Sequence, residues 1–279
     1  MKSFLKKSKT AVVAALLTAL SGALQAQVKL SVDTLECQMV GFTVGMVTPG
    51  GGSNSQGMTG GNMGEMYKAP YLDFALEWDY RYQNGLSIGL DADMWFGLSD
   101  DNLQQREVRM GSVYTEGGLA MSWGGYDGVV TAYNRSFAIR PSLGYTIPVL
   151  PKNPNSGILL KASAGWWMQK TVFNQDFTQS PVPQLHGAYE KLYDHLRNGI
   201  MLTESVGFIY MSNYLTYVNV KIAFEVSQCW SWSSRPYQID NLMGLNGKDN
   251  SRYFDLLYGV RLTWLFPFTG KTTYDYYYY

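Results

Sequence analysis

The stretch from Tyr71 to Phe96, YLDFALEWDYRYQNGLSIGLDADMWF, alternates apolar and polar residues on both sides of a turn. Successive side chains of a β-strand point to opposite faces, so one face of each arm is apolar and the other largely charged. Gln83-Asn84-Gly85 between the arms is a tight-turn sequence. Each arm has about 12 residues, which exceeds the ~5–6 of a typical soluble strand and suits a tilted strand that crosses a bilayer. The stretch therefore predicts a membrane-spanning β-hairpin.

Six further segments alternate in the same way, which gives eight predicted strands. They are residues 39–48, 131–147, 157–172, 200–211, 216–227 and 254–266. The predicted connections are alternately long (49–68, 98–130, 173–199, 233–252) and short (83–85, 148–156, 212–214). Backbone polar groups must all be paired inside hydrocarbon, so a spanning sheet has to close. We therefore expect an all-β fold, an eight-stranded antiparallel transmembrane β-barrel with long extracellular loops and short periplasmic turns.

A soluble barrel or sandwich is the alternative, because it alternates as well. Its apolar residues would face an internal core, and Trp78, Tyr80 and Trp264 would then be too bulky for a small barrel. The composition also favours the membrane, since charged residues make up 16% of the chain and aromatic residues 15%. Lys and Arg (22) balance Asp and Glu (22), which argues against a nucleic-acid partner.

The N-terminus has the pattern of a secretory signal peptide. Lys2, Lys6, Lys7 and Lys9 precede the apolar run AVVAALLTAL of residues 11–20, and small residues lead to Ala26. We expect Sec export with residues 1–26 removed, an outer-membrane barrel over 27–267 and a Tyr-rich periplasmic tail over 268–279. The expected location is the bacterial outer membrane, where lipid and lipopolysaccharide surround the barrel.

The polar faces of the predicted strands put charged residues into the lumen. They are Asp73, Glu77, Asp79, Arg81, Asp91, Asp93, Arg140, Lys161, Lys221, Glu225, Asp255 and Arg261. Eight strands enclose a lumen that side chains nearly fill, and unpaired buried charge is costly. We therefore expect a paired polar network rather than an open pore, with a narrow solute or ion path as the weaker alternative.

Glu204 breaks the alternation, because it lies among the outward-facing Leu202, Val206 and Phe208. A carboxylate that faces lipid at mid-depth is unfavourable. It could lie near the outer interface, it could be turned inward by a β-bulge, or it could contact a protein partner.

Catalytic patterns are weak. The two histidines, His186 and His195, both fall in the third long connection, where the spacing of Leu and Tyr predicts a short helix that ends at Gly199. An outer-membrane enzyme acting on lipid A or peptides would use these histidines at the outer rim. No nucleophile or acidic cluster is placed beside them, so we predict no catalytic, cofactor or metal residues.

The C-terminus ends in the run Tyr276, Tyr277, Tyr278 and Tyr279, an aromatic density typical of protein contacts. Together with the segment 183–199, PQLHGAYEKLYDHLRNG, and the signal-peptide ending LQAQ, this terminus resembles small outer-membrane β-barrels of Bacteroidetes-type bacteria, which share the architecture of OmpA-like barrels. Some such barrels are companion subunits of envelope machines, including the barrel-assembly machinery. The resemblance implies an accessory or structural subunit that contacts other outer-membrane or periplasmic proteins. The break in alternation at Glu204 and the aromatic density of the tail make these residues the candidate contacts. It supplies no catalytic residues.

Overall fold

The structure is a computed structural model, and it describes residues 36–54, 70–97, 120–121, 127–128, 130–151, 153–175, 187–192, 194–211, 219–235 and 252–268. The predicted signal peptide, His186 and the tail residues Tyr276–Tyr279 lie outside these ranges, so those predictions stand as made. Within these ranges, no helix is long and apolar enough to cross a membrane.

The fold is all-β, as the alternation predicts. The strands are β1 (Cys37–Asn54), β2 (Tyr71–Arg81), β3 (Leu86–Gly97), β4 (Ala120–Met121), β5 (Asp127–Gly128), β6 (Val130–Leu150), β7 (Asn153–Gln175), β8 (Arg197–Tyr210), β9 (Val220–Ser233) and β10 (Arg252–Phe268). Eight of them form a closed antiparallel barrel in the order β1-β10-β9-β8-β7-β6-β3-β2, and β4 pairs with β5 separately. The predicted eight-stranded antiparallel barrel is confirmed.

Closure comes from β1, which pairs with the last strand on one side and with β2 on the other. Val44, for example, lies opposite Leu262 of β10 and Phe74 of β2. A sheet closed in this way has no free edge whose backbone groups would need water. The turn between β2 and β3 contains Gly85 at φ 84°, a conformation that glycine adopts without steric cost.

The two faces of the barrel wall differ in chemistry as predicted. Inward side chains are mostly polar and buried, and outward ones are mostly apolar and exposed. We call the end that carries the 82–85 turn and the start of β1 the turn end, and the opposite end the loop end. Outward aromatic residues gather near both ends. They are Trp78, Tyr80, Tyr82, Trp264, Phe266 and Phe268 toward the turn end, and Phe96, Phe137, Trp166, Trp230, Trp232 and Phe254 toward the loop end. Two aromatic girdles around an apolar band are typical of barrels that sit in a bilayer.

Several strand ends differ from the predicted ones, because pairing continues beyond the apolar band through polar residues. β1 begins at Cys37 and β7 spans 23 residues, so the connection predicted over 148–156 shortens to a turn between Leu150 and Asn153. β9 begins at Val220 rather than at residue 216.

The last strand runs two residues beyond the predicted segment 254–266, through Pro267 to Phe268. The pairing of β10 with β9 stops at Trp264, whereas the pairing with β1 continues to Phe268. The Leu265 N–H still donates to the Asn219 carbonyl oxygen, at 2.8 Å. Beyond it no described residue of β9 pairs with the strand, so proline's missing N–H does little harm there.

In the described part of the third long connection, the predicted helix is replaced by a 3-10 turn, Tyr189–Leu192. Gly199 does not end it, because β8 already begins at Arg197 and Gly199 pairs with Ser231 of β9. A Cβ at Gly199 would lie 2.1 Å from the Trp230 carbonyl oxygen, so this glycine permits a close approach of two strands.

Candidate functional site

The lumen holds the charged residues that the alternation sends inward. Eleven of the twelve are buried, namely Asp73, Glu77, Asp79, Arg81, Asp91, Asp93, Arg140, Lys161, Lys221, Asp255 and Arg261. Glu225 is the twelfth, with a side chain that is 12% exposed. Ten of these, all except Arg81 and Asp255, form what we call the charged belt around the middle of the lumen.

Arg261 is the centre of the loop-side half of the belt. Its Nε lies 2.6 Å from Asp73 Oδ2 and 3.2 Å from Glu225 Oε2, and its Nη2 lies 2.5 Å from Asp93 Oδ1. Arg140 binds the other oxygen of Asp93, with its Nη2 at 2.6 Å. Both guanidinium groups are almost fully buried, so each charge is compensated by carboxylates rather than by water.

Lys161 is the corresponding centre of the turn-side half. Its Nζ lies 2.7 Å from Asp91 Oδ1, 3.2 Å from Asp79 Oδ1 and 3.4 Å from Glu77 Oε2. Lys221 forms a second ion pair with the same Glu77 oxygen. One lysine on β7 thus joins β2 and β3 across the lumen.

Inward hydroxyl groups complete the belt, and the sequence analysis did not single them out. Thr43 Oγ1 donates to Glu77 Oε1 at 2.7 Å, and Thr263 Oγ1 donates to the same atom at 3.2 Å. On the other side of the belt, Arg140 Nη1 donates to Thr203 Oγ1 at 2.5 Å. In the sequence, these threonines fall on the inward-facing positions of the alternating pattern, and that position could have identified them.

Arg81 lies apart from the belt, at the turn end. Its Nη1 donates to the Asn155 carbonyl oxygen at 2.8 Å and contacts Met211 Sδ at 3.3 Å. Asp255 lies on the other side of the belt, opposite Cys229 on β9. The expected single network is therefore a central belt with two outlying charges.

Apolar side chains fill the lumen on both sides of the belt. The turn-side layer consists of Cys37, Met39, Leu159, Ile209, Met211 and Leu265. The loop-side layer consists of Val47, Tyr71, Trp95, Ala138, Trp167, Met201, Cys229 and Leu257. Both cysteines are free and buried, in different layers. Every member of both layers is less than a tenth exposed, so side chains occupy the lumen at three successive levels.

The barrel mouth is braced by an ion pair between the third connection and the end of β9. Arg235 Nε donates to both oxygens of Asp194, at 3.0 and 3.1 Å, and its Nη2 makes a further bond. This hydrogen bond and the charge of Asp194 raise the pKa of Arg235 above its ordinary value. His195 follows directly, half-buried, with φ 45°. The carboxylate next to His195 is thus already bound to Arg235.

The outer wall carries Glu204, and the structure excludes one of the three explanations offered for it. Strand β8 pairs without a bulge with β7 and β9 from Arg197 onward, so no irregularity turns Glu204 inward. Its side chain is exposed, between Leu202 and Val206.

The chemistry available inside the barrel is limited. The carboxylates of the charged belt are tied to lysine, arginine and threonine side chains. Among the described residues, no group of three His, Cys, Asp or Glu side chains is placed to hold a metal ion.

No family model and no curated protein matches the chain. Solved structures with some overall similarity are small outer-membrane proteins. OprG from Pseudomonas aeruginosa shares 12% identity, over 83% of this chain and 96% of that chain, with a TM-score of 0.38. Ail, the attachment invasion locus protein of Yersinia pestis, shares 10% over 82% and 97%, with a TM-score of 0.31. The outer membrane enzyme PagL shares 12% over 79% and 97%, with a TM-score of 0.29. Because these TM-scores are low, the assignment of the fold depends on the strand pairing described above and not on these similarities.

Proposed function

We propose that this chain is a non-enzymatic β-barrel of the bacterial outer membrane that acts as an accessory or structural subunit of a larger envelope complex. The barrel-assembly machinery and export machines are complexes of the kind in which such a subunit would serve. Lipid and lipopolysaccharide would surround most of the wall, and other outer-membrane or periplasmic proteins would contact the rest.

The filled lumen is the observation that carries this proposal. Arg261 and Lys161 pair the charges of the belt, and an apolar layer closes the lumen on each side. Because side chains leave no room for a solute path, the outer wall, the mouth and the termini are the surfaces that remain available for function.

The membrane location is supported by the outer wall itself. Phe42, Leu76 and Val260 are each more than half exposed, although each is strongly apolar. An apolar surface of this extent is unstable in water and favourable in lipid. The two aromatic girdles lie at both ends of the barrel, as expected for residues at the two membrane interfaces.

Native purification is the direct test. The chain would carry an affinity tag, be extracted from outer membranes in a mild detergent and be analysed by size exclusion and mass spectrometry. We expect it to run with other envelope proteins in fixed stoichiometry. Recovery as a lone barrel after chemical cross-linking of intact cells would refute the proposal.

The enzymatic alternative is tested by replacing both histidines, His186→Ala with His195→Ala. An accessory subunit keeps its complex and its cellular phenotype after this change, whereas an enzyme of the outer rim loses activity while the complex persists. A change in the lipid A or peptide profile of cells carrying the double variant would favour the enzyme.

A further inference from the structure

Glu204 is a carboxylate with no bonding partner in the part of the chain that the structure describes. It points outward from β8, and its cross-strand neighbours are Ala162 on β7 and Val226 on β9. The carboxylates of the charged belt, by contrast, are bound by cations or hydroxyl groups. An ionisable residue on a membrane-facing surface is costly and therefore marks a functional site by default.

The depth of Glu204 excludes the interface explanation. Ile200, four residues toward the loop end, lies opposite Trp166 and Trp230 of the loop-side girdle. Phe208 lies four residues toward the turn end and begins the aromatic pair that Tyr210 completes. Four residues rise roughly 10 Å along the barrel axis, at ~3.3 Å per residue and a tilt of ~40°. Glu204 is thus near the middle of an apolar band that is ~25 Å tall.

The surroundings of Glu204 fit a protein neighbour better than lipid. Gln228 is a second outward polar side chain, and it lies diagonally across from Glu204 because Leu202 pairs with Gln228. Ala162 and Ala164 on β7 are small, which lets a neighbouring segment approach the wall closely. We call the five residues Ala162, Ala164, Glu204, Val226 and Gln228 the Glu204 patch.

Among the residues that the structure describes, a second copy of this chain offers no positive charge at the depth of Glu204. The outward cations among the described strand residues are Arg135, Lys170 and Arg252, all at the loop ends of their strands. Lys170 is eight residues beyond Ala162 on β7, which places it roughly 20 Å from the depth of Glu204 at ~3.3 Å per residue and a tilt of ~40°. Two copies that met through this face of the wall would therefore bring carboxylate against carboxylate.

We infer that the Glu204 patch docks a membrane-spanning segment of a different protein, and that this segment presents a Lys or Arg side chain at mid-depth. The inference rests on the proposed role as a subunit and identifies the contact face and the chemistry of the partner. The carboxylate accepts a charge-assisted hydrogen bond from the cation, and Gln228 can accept or donate a second one. The two opposite charges then compensate each other, which lowers the free-energy cost of placing each of them in lipid.

Photo-cross-linking in intact cells tests the inference. Benzoylphenylalanine replaces Phe224, which faces outward beside the patch, and in a matched strain it replaces Phe74 on β2, the strand opposite β8 in the barrel. The two phenylalanines are exposed to similar extents, 49% and 46%. We expect a protein cross-link from position 224 and lipid adducts alone from position 74. The cross-linked peptide should belong to a membrane-spanning segment with a Lys or Arg near its middle.

Substitutions then test the charge itself. Glu204→Leu should lower the cross-link yield from position 224 about tenfold or more, as expected for the loss of a hydrogen bond to a charged group. Glu204→Lys should abolish the cross-link, and a Glu in place of the partner's cation should restore it. Heat-dependent mobility on gels confirms that each variant is folded.

Four outcomes would overturn the inference. They are a lipid adduct alone at position 224, a cross-link to a second copy, a partner segment without a mid-depth cation, and an undiminished yield in a folded Glu204→Leu variant. In any of these cases a stable native complex would leave the proposed function standing, because docking would then use another surface. Absence of any native complex would refute the proposed function instead.

Discussion

Arg261 provides the sharpest test of how the lumen is stabilised. Its guanidinium group contacts Asp73, Asp93 and Glu225 and is almost fully buried. Arg261→Met keeps an unbranched apolar stem and removes the guanidinium group with its charge. Asp93 retains Arg140, whereas Asp73 loses the cation with which it forms an ion pair.

The expected loss in the free energy of unfolding depends on the charge that stays buried after the substitution. Removing one partner of a buried ion pair destabilises a protein by roughly 3–5 kcal/mol, because the other charge stays buried and uncompensated. The double variant Arg261→Met with Asp73→Asn removes both charges of that pair. We expect it to recover most of the loss, to within about 1–2 kcal/mol of the parent, since a neutralised buried pair no longer carries the uncompensated charge.

The free energy of unfolding can be measured by urea titration of the barrel in lipid vesicles, followed by tryptophan fluorescence. Leu262→Val on the same strand is a matched control, because residue 262 faces outward and the change removes one methylene group, worth about 0.8 kcal/mol. If Arg261→Met lost no more than this control, or if the double variant were as unstable as the single one, the belt would not be held by compensated charge.

Three further predictions concern the lumen, the wall and the mouth. Trp167→Ala removes most of one side chain from the loop-side layer but leaves the charged belt intact. We therefore expect neither the parent nor the variant to show conductance steps in planar bilayers. Steady conductance in the parent would contradict the filled lumen. Gly165→Ala should destabilise the barrel by about 1–3 kcal/mol, as overpacking does, because its Cβ would lie 2.0 Å from a β6 carbonyl oxygen. Gly259→Ala, whose Cβ would meet a valine methyl at 3.3 Å, should be nearly neutral in the same urea titration, and equal losses would contradict the argument. Arg235→Ala should speed proteolysis of the third connection in intact membranes while changing barrel stability by less than about 1 kcal/mol, as for a partly exposed ion pair; an unchanged cleavage rate would show that the mouth is held by other contacts.

The barrel itself could be predicted because alternation is a local property of the sequence. In the hairpin Tyr71–Phe96, each residue's face is fixed by its position relative to its neighbours. Trp95 has the same alternation phase as Asp91 and Asp93, which predicts an inward side chain, and the structure buries it in the lumen. Strand ends could not be predicted as well, since β6 and β7 continue beyond the apolar band where either face is free to be polar.

The ion pairs across the lumen could not be predicted from the sequence. Lys161 meets Asp79, which is 82 positions earlier, and Asp91, which is 70 positions earlier. Which inward residues share a level depends on the tilt of the strands and the stagger between them, and these are properties of the closed sheet. The sequence showed that the charges lie inside, and only the closed barrel shows which acid meets which base.

The lumen also explains why Glu204 must face outward. The residues on either side of it are held by inward contacts, since Thr203 accepts a hydrogen bond from Arg140 and Ser205 donates one to the Lys161 carbonyl oxygen. A shift of β8 by one residue would turn Glu204 inward, but it would also turn every inward side chain of that strand toward lipid. The charged belt therefore fixes the register that presents Glu204 to the membrane. If a partner's cation meets Glu204 there, the paired charges of the lumen stabilise the barrel and at the same time orient its docking face.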